Sequence, residues 1–213
     1  MRMLVWLGIA SVVFSSCASS YNAIRPTSLY YAEGVNYDGV RFSYQYDVLK
    51  QVGNRKYAKK EDKKGVQVVA VKLTNHTGRS LNFREDISVL SGGVPIGLMQ
   101  PEIVTQQVKQ NVPIYSLYLL LSFISVNTYN QYGGVESSTP VGLFIGPPVA
   151  VGNMVVAGSA NGNFKKELLA NNLLNRTIAD GETVYGLISI GDNGYRPLSL
   201  KVNAPMKEAI GGY

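Results

Sequence analysis

One cysteine and one histidine stand in a chain of 213 residues. The single Cys17 excludes an internal disulfide framework, and the single His76 leaves no Cys/His cluster for zinc, so no metal or cofactor is expected. Acidic residues are also few, 14 against 20 Lys plus Arg, giving a net charge of +6 and a pI near 9.3. That excess suits anionic surfaces, and it is equally common in envelope proteins without a nucleic-acid role. From Gln110 to Phe164 charge is almost missing, Glu136 being the only charged residue. Also missing are a phosphate-binding glycine loop and a nucleophile elbow, so nucleotide chemistry and serine hydrolysis have no foothold. Apolar residues are not scarce: 46% of the chain, with a mean hydropathy of +0.03, which supports a sizeable core and excludes general disorder.

The chain opens "MRMLVWLGIASVVFSSCASS", with Arg2 as a short positive region and Met3 to Phe14 as an apolar run. Ser15 and Ser16 then lead to Cys17. A run this short is a secretory signal, too short for a spanning helix. With the only Cys at its end it resembles the lipobox of bacterial lipoproteins, with Phe14 at position −3. The resemblance implies cleavage before Cys17 and acylation of Cys17 by fatty chains such as palmitate, two or three of which anchor a protein stably. Ala18, not Asp, follows Cys17, so the outer membrane is the expected site. No acidic run appears in "ASSYNAIRP", which favours the periplasmic face over the cell surface. The secretory address makes nucleic acid an unexpected partner. The expected organisation is a signal peptide at 1–16, a lipidated tether at 17–35 and a single β-sandwich domain at 36–213 carrying an uncharged insertion at 110–164.

Strand signals dominate the rest. In "VRFSYQYDVL", Val40, Phe42, Tyr44, Tyr46 and Val48 alternate with polar residues, the period of a half-buried strand. "VQVVAVKLTN" is a more continuously apolar strand, "SLNF" a short one, and "DISVLSGGVPIGLM" two strands around a turn at "SGG". "GETVYGLISI" and "YRPLSLKVNA" complete about seven short strands, the pattern of a mainly β, antiparallel sandwich rather than alternating βαβ units. "NFKKELLANNLLN" reads as one short amphipathic helix with Phe164, Leu168 and Leu169 on one face.

The insertion breaks this pattern. In "NVPIYSLYLLLSFISVN", Leu117, Leu120, Leu121 and Ile124 fall at helical spacing and predict a core-facing stripe, yet Tyr115, Tyr118, Leu119 and Phe123 make the other face apolar too. A helix apolar on every side needs cover on every side. Three placements follow: a spanning hairpin, a helical segment packed on its own sandwich, or a surface docked on bilayer or partner. The short first run and the helix-breaking "GPP" at Gly146 to Pro148 favour packing over crossing.

Chemistry has little purchase. His76 sits in the turn "TNHTG", and the adjacent pairs Glu61–Asp62 and Glu85–Asp86 read as solvated surface rather than acid/base couples. No catalytic residue is expected. The densest charge, "KQVGNRKYAKKEDKKG", reads as a solvated loop whose Lys56, Lys59, Lys60, Lys63 and Lys64 are candidates for an anionic surface.

With the lipobox, the strand end Leu73, Thr74, Asn75 and the later Ile178, Gly181, Val184, Gly186, the chain resembles a group of uncharacterised Gram-negative lipoproteins with an immunoglobulin-like sandwich. The resemblance implies a fold and no activity. The functional expectation is a non-catalytic, lipid-anchored accessory protein of an outer-membrane assembly, held by its acyl chains and docking on a membrane-protein partner through the insertion. The alternative is a small-molecule or glycan-binding lipoprotein whose insertion roofs an aromatic pocket.

Overall fold

The computed structural model describes residues 17–192 and 194–203; the expected signal peptide, 1–16, lies outside them. After a 3₁₀ turn at Pro26–Ser28 come strands β1 (Val35–Tyr37) and β2 (Val40–Gln45), then helices α1 (Val48–Gln51) and α2 (Arg55–Lys64). Strands β3 (Gln67–Asn75) and β4 (Leu81–Asn82), helix α3 (Phe83–Asp86), strands β5 (Ile87–Ser91) and β6 (Val94–Pro95), and helix α4 (Pro101–Val108) follow. Next are a 3₁₀ helix (Pro113–Phe123), strands β7 (Val126–Tyr129) and β8 (Val135–Thr139), and helix α5 (Gly142–Ala170). Strands β9 (Thr177–Ile178), β10 (Thr183–Ile190) and β11 (Leu198–Val202) come last. The described residues divide into two compact units, one of 17–21 with 110–162, the other of 22–109 with 163–192 and 194–203.

The larger unit holds a four-stranded sheet, β1-β2-β3-β10, a three-stranded sheet, β11-β5-β6, and the pair β4-β9, all antiparallel. The two main sheets share one core: Val40, Phe42, Val69, Val71 and Leu73 from the first meet Ile87, Val89, Leu198 and Leu200 from the second. Alternation in β2 and β5 sends every second residue into this core, as a period of two requires. In the turn between β5 and β6, Gly92 and Gly93 both take positive φ (57° and 84°), which a tight hairpin demands and glycine supplies without steric cost.

Asn75 joins the two ends of the sequence motif. It is fully buried, and its amide donates to the carbonyls of Arg79 and Ile178 while its oxygen accepts from Thr77. Its backbone bonds Glu182 and Gly181, so "TN" and "IADGETVYG" form one knot. Gly186 is required for a different reason. A Cβ there would run into the Leu173 side chain, where Leu173 and Asn171 bond the Leu187 backbone.

Several expectations are corrected. The chain is mixed rather than mainly β, 37% helical against 28% strand, with eleven strands among the described residues instead of about seven. The lysine-rich loop is helix α2: Tyr57 and Glu61, one turn apart, face inward, and Gly65 (φ 63°) caps the end by returning its N–H to the Glu61 carbonyl. Charge hid this two-residue inner face from a count of apolar residues. Residues 22–35 of the expected tether are bound to the larger unit. Ile24 is buried, the Ile24 and Arg25 amides donate to the Glu167 carboxylate, and Asn22 and Asn54 exchange two hydrogen bonds. The short amphipathic helix is the end of α5, where Phe164 and Leu168 are buried but Leu169 is exposed.

Candidate docking surface

The smaller unit buries Tyr115, three alanines and Gln110 and leaves most of its large apolar side chains exposed. Cys17, half-buried and outside any disulfide, belongs to it. The chain after it is pinned: the Ala18 amide donates to Asn153 Oδ1, and Ser19 and Gln110 exchange two hydrogen bonds. Gln110 is paired again through its backbone, which gives one bond to Asn161 Oδ1 and takes one from Asn161 Nδ2.

The "GPP" segment does not break the second run. Helix α5 passes through Pro147 and Pro148, its sixth and seventh residues, so the carbonyls of Leu143 and Phe144 go without their usual intrahelical donors and the helix continues regardless. Glycines let the 3₁₀ helix pack against it at backbone distance. A Cβ on Gly142 would meet the backbone of Leu121 and Ile124, and one on Gly146 the backbone of Ser122 at 2.8 Å. The Gly142 amide donates to the Ile124 carbonyl at 2.8 Å. This is a small-xxx-small contact within the unit; Gly158 and Gly162, further along the same helix, have the same spacing, but their Cβ positions face open space.

The predicted stripe does not face a core. Only Tyr115 of the eight contact candidates is buried, while Tyr118 and Leu121 are half-buried and Leu117, Leu119, Leu120, Phe123 and Ile124 are exposed, Phe123 to 83%. The 3₁₀ winding explains the change: at three residues per turn the i, i+3, i+4, i+7 set no longer forms one stripe. Sequence reasoning missed Leu143, Phe144, Val151 and Val155 of α5, exposed to between 57% and 78%, because proline and glycine had argued against a helix there. Among the described residues α5 is the one helix long and apolar enough to cross a membrane, and only 22% of its most apolar window is buried, unlike the core helix of a soluble protein.

The lysines do converge. Lys56, Lys63, Lys64 and Lys109 crowd Lys60, whose pKa is lowered first by burial and then by their repulsion. Lys60 Nζ donates to the Lys109 carbonyl. Lys59 stands outside this group, and Lys109, the last residue before the uncharged stretch, had given no sequence signal.

Glu61 and Asp86 are both tied to backbone amides of the fold. Glu61 is buried and accepts the Val68 amide at 2.6 Å; burial pushes its carboxyl up to about 8. Burial would raise Asp86 too, but the Asn82 amide and Arg79 outweigh it and hold its pKa below the usual range. His76 is exposed in its turn. An aromatic ladder of Tyr37, Phe42, Tyr44, Tyr46 and Tyr195, with centroids 5.4–6.4 Å apart, runs along β2. The cleft of about 250 Å³ beside it is lined by residues of the larger unit, including Val35, Tyr37, Tyr44 and Leu198, and by none of 110–164. No protein-family model, curated protein or solved structure matches the chain.

Proposed function

We propose that this chain is a non-catalytic, lipid-anchored envelope protein of the outer membrane, facing the periplasm, that docks on a membrane assembly through its apolar insertion. The observation that carries the reading is the coincidence, in one compact unit, of Cys17 with an uncharged surface of exposed Leu, Ile, Val and Phe. Soluble surfaces rarely leave so large an apolar area open without an interaction to cover it. Acyl chains on Cys17 would bring that surface to the membrane, and the lysines around Lys60 would meet anionic head groups.

The scaffold is proposed to be immunoglobulin-like. The orders β2-β3-β10 and β11-β5-β6 correspond to A-B-E and F-C-C′ of that sandwich, with the chain crossing between sheets at the same points. The test is affinity capture of the acylated protein from native membranes in mild detergent, beside a variant with 111–160 replaced by a Gly/Ser linker and shown to fold by circular dichroism. A stoichiometric membrane-protein partner lost from the variant is expected; wild type captured alone would sink the assembly role.

A second reading rests on the cleft beside the aromatic ladder. Ser43, buried to 7% exposure, lines it with Glu33 and six apolar or aromatic residues, a setting for a small ligand with a hydroxyl or ring. Glycans or small aromatics that raise the melting temperature would support this reading; a flat response across such a panel would end it.

A further inference from the structure

We infer that the insertion is a two-armed finger whose surroundings are bilayer hydrocarbon, with the polar β7–β8 hairpin emerging at the far face. The inference goes beyond the docking reading: it assigns lipid to the exposed sides of both arms, leaves the emergent hairpin as the part a partner can meet, and does not rest on acylation of Cys17. Four observations point to lipid rather than water or a protein partner.

Length comes first. The α5 arm from Gly142 to Gly162 is about 31 Å at 1.5 Å per residue, against a hydrocarbon core of about 30 Å. The 3₁₀ arm, Pro113–Phe123, reaches about 22 Å at 2.0 Å per residue, to which its flanking residues add. Polar satisfaction is the second. Asn153, Asn161 and Gln110 spend their side chains on partners within the unit, as hydrocarbon demands of any polar group within it. Third, the distribution of apolar groups is inverted: large aliphatic side chains point outward, and small Gly residues mediate the contact between arms. Fourth, polarity is placed at the ends. Lys109 precedes one arm and Lys165–Lys166 follow the other, while the far end holds Glu136, the only charge, with exposed Tyr129 and Tyr132. The hairpin has open strand edges, which cannot rest in hydrocarbon, so the arms must carry it through. Pro147 and Pro148 then lie near that far end, away from the bilayer centre.

The test uses the full acylated chain with one cysteine introduced at Leu120, Val155 or Tyr132, labelled with an environment-sensitive fluorophore and reconstituted in phosphatidylethanolamine–phosphatidylglycerol vesicles, folding being checked by circular dichroism. An acylated Cys17 has no free thiol, so wild type serves as the control, and its uptake of label would overturn the anchor reading while leaving the finger measurable by the excess signal at each introduced site. The expected result is blue-shifted emission at 120 and 155, quenched by doxyl-labelled acyl chains and not by iodide, with 132 quenched only by iodide enclosed in the vesicle. Iodide quenching at 120 and 155 would overturn the inference, and so would protection from both quenchers, which would indicate a protein cover. Quenching of 132 by external iodide would refute crossing.

Discussion

Two buried polar residues carry consequences out of proportion to their size. Asn75 makes four side-chain hydrogen bonds from a fully buried position, and Asn75→Ala leaves the carbonyls of Arg79 and Ile178 without their donor. A loss of about 2–3 kcal/mol is expected by chemical denaturation, since each orphaned buried group costs about 1–3 kcal/mol. An effect near zero would mean that water enters the knot. Glu61 makes stability depend on pH. Its carboxyl titrates at 4.5 when unfolded and at about 8 in the folded protein, so between these values the folded chain holds a proton the unfolded chain has released. Stability therefore falls as pH rises from about 4.5 to about 8 and levels off above. Glu61→Gln keeps an oxygen for the Val68 amide, and its melting temperature should lose that slope while resembling wild type at pH 5. An unchanged slope would mean that Glu61 stays ionised. Neither role was legible beforehand for Glu61, because burial in α2 is decided by a helix that the lysines around it concealed. Asn75 was visible as a motif, and its physical reason appeared only when Ile178 and Gly181 came into contact with it.

Among the elements, strands were the most readable and helices the least. β2, β3, β5, β10 and β11 carry regular alternation or continuous apolar runs, and each appears where the pattern placed it, although β2 ends at Gln45 and gives way to α1. α2 and α4 went unread because helices of eight to ten residues show too few apolar positions to establish a period. α5 was misjudged through its prolines, whose cost depends on position along the helix. The lysine group is an element-scale feature as well, formed by one face of α2 together with Lys109. Replacing Lys56, Lys63 and Lys64 by Gln should weaken binding to anionic vesicles by up to roughly a hundred-fold, at about 1 kcal/mol per cation near a charged surface. The loss should shrink as salt is raised, with the fold unchanged. Equal binding by wild type and the triple variant would leave these residues as a solvated face.

At the scale of the whole molecule, a unit of small antiparallel sheets with a conventional apolar core is accompanied by a second unit whose Gln and Asn side chains are paired within it and whose large apolar side chains are mostly exposed. The missing charge between Gln110 and Phe164 was plain in the sequence; which side chains face outward was not, because the arm expected to be α-helical is wound as 3₁₀ and the arm expected to break is continuous. A coil-only or self-packed insertion would need no membrane, whereas this one retains membrane affinity of its own in the account given. The most direct measurement separates that affinity from the anchor. Residues 1–17 are replaced by a cleavable secretory signal ending before Ala18, so that no acyl chain is present, and the envelope is fractionated after an alkaline carbonate wash. The account predicts that the unacylated chain stays with the membrane fraction and that removing 111–160 releases it as a folded soluble protein. An unacylated chain recovered in the periplasmic supernatant would contradict the account.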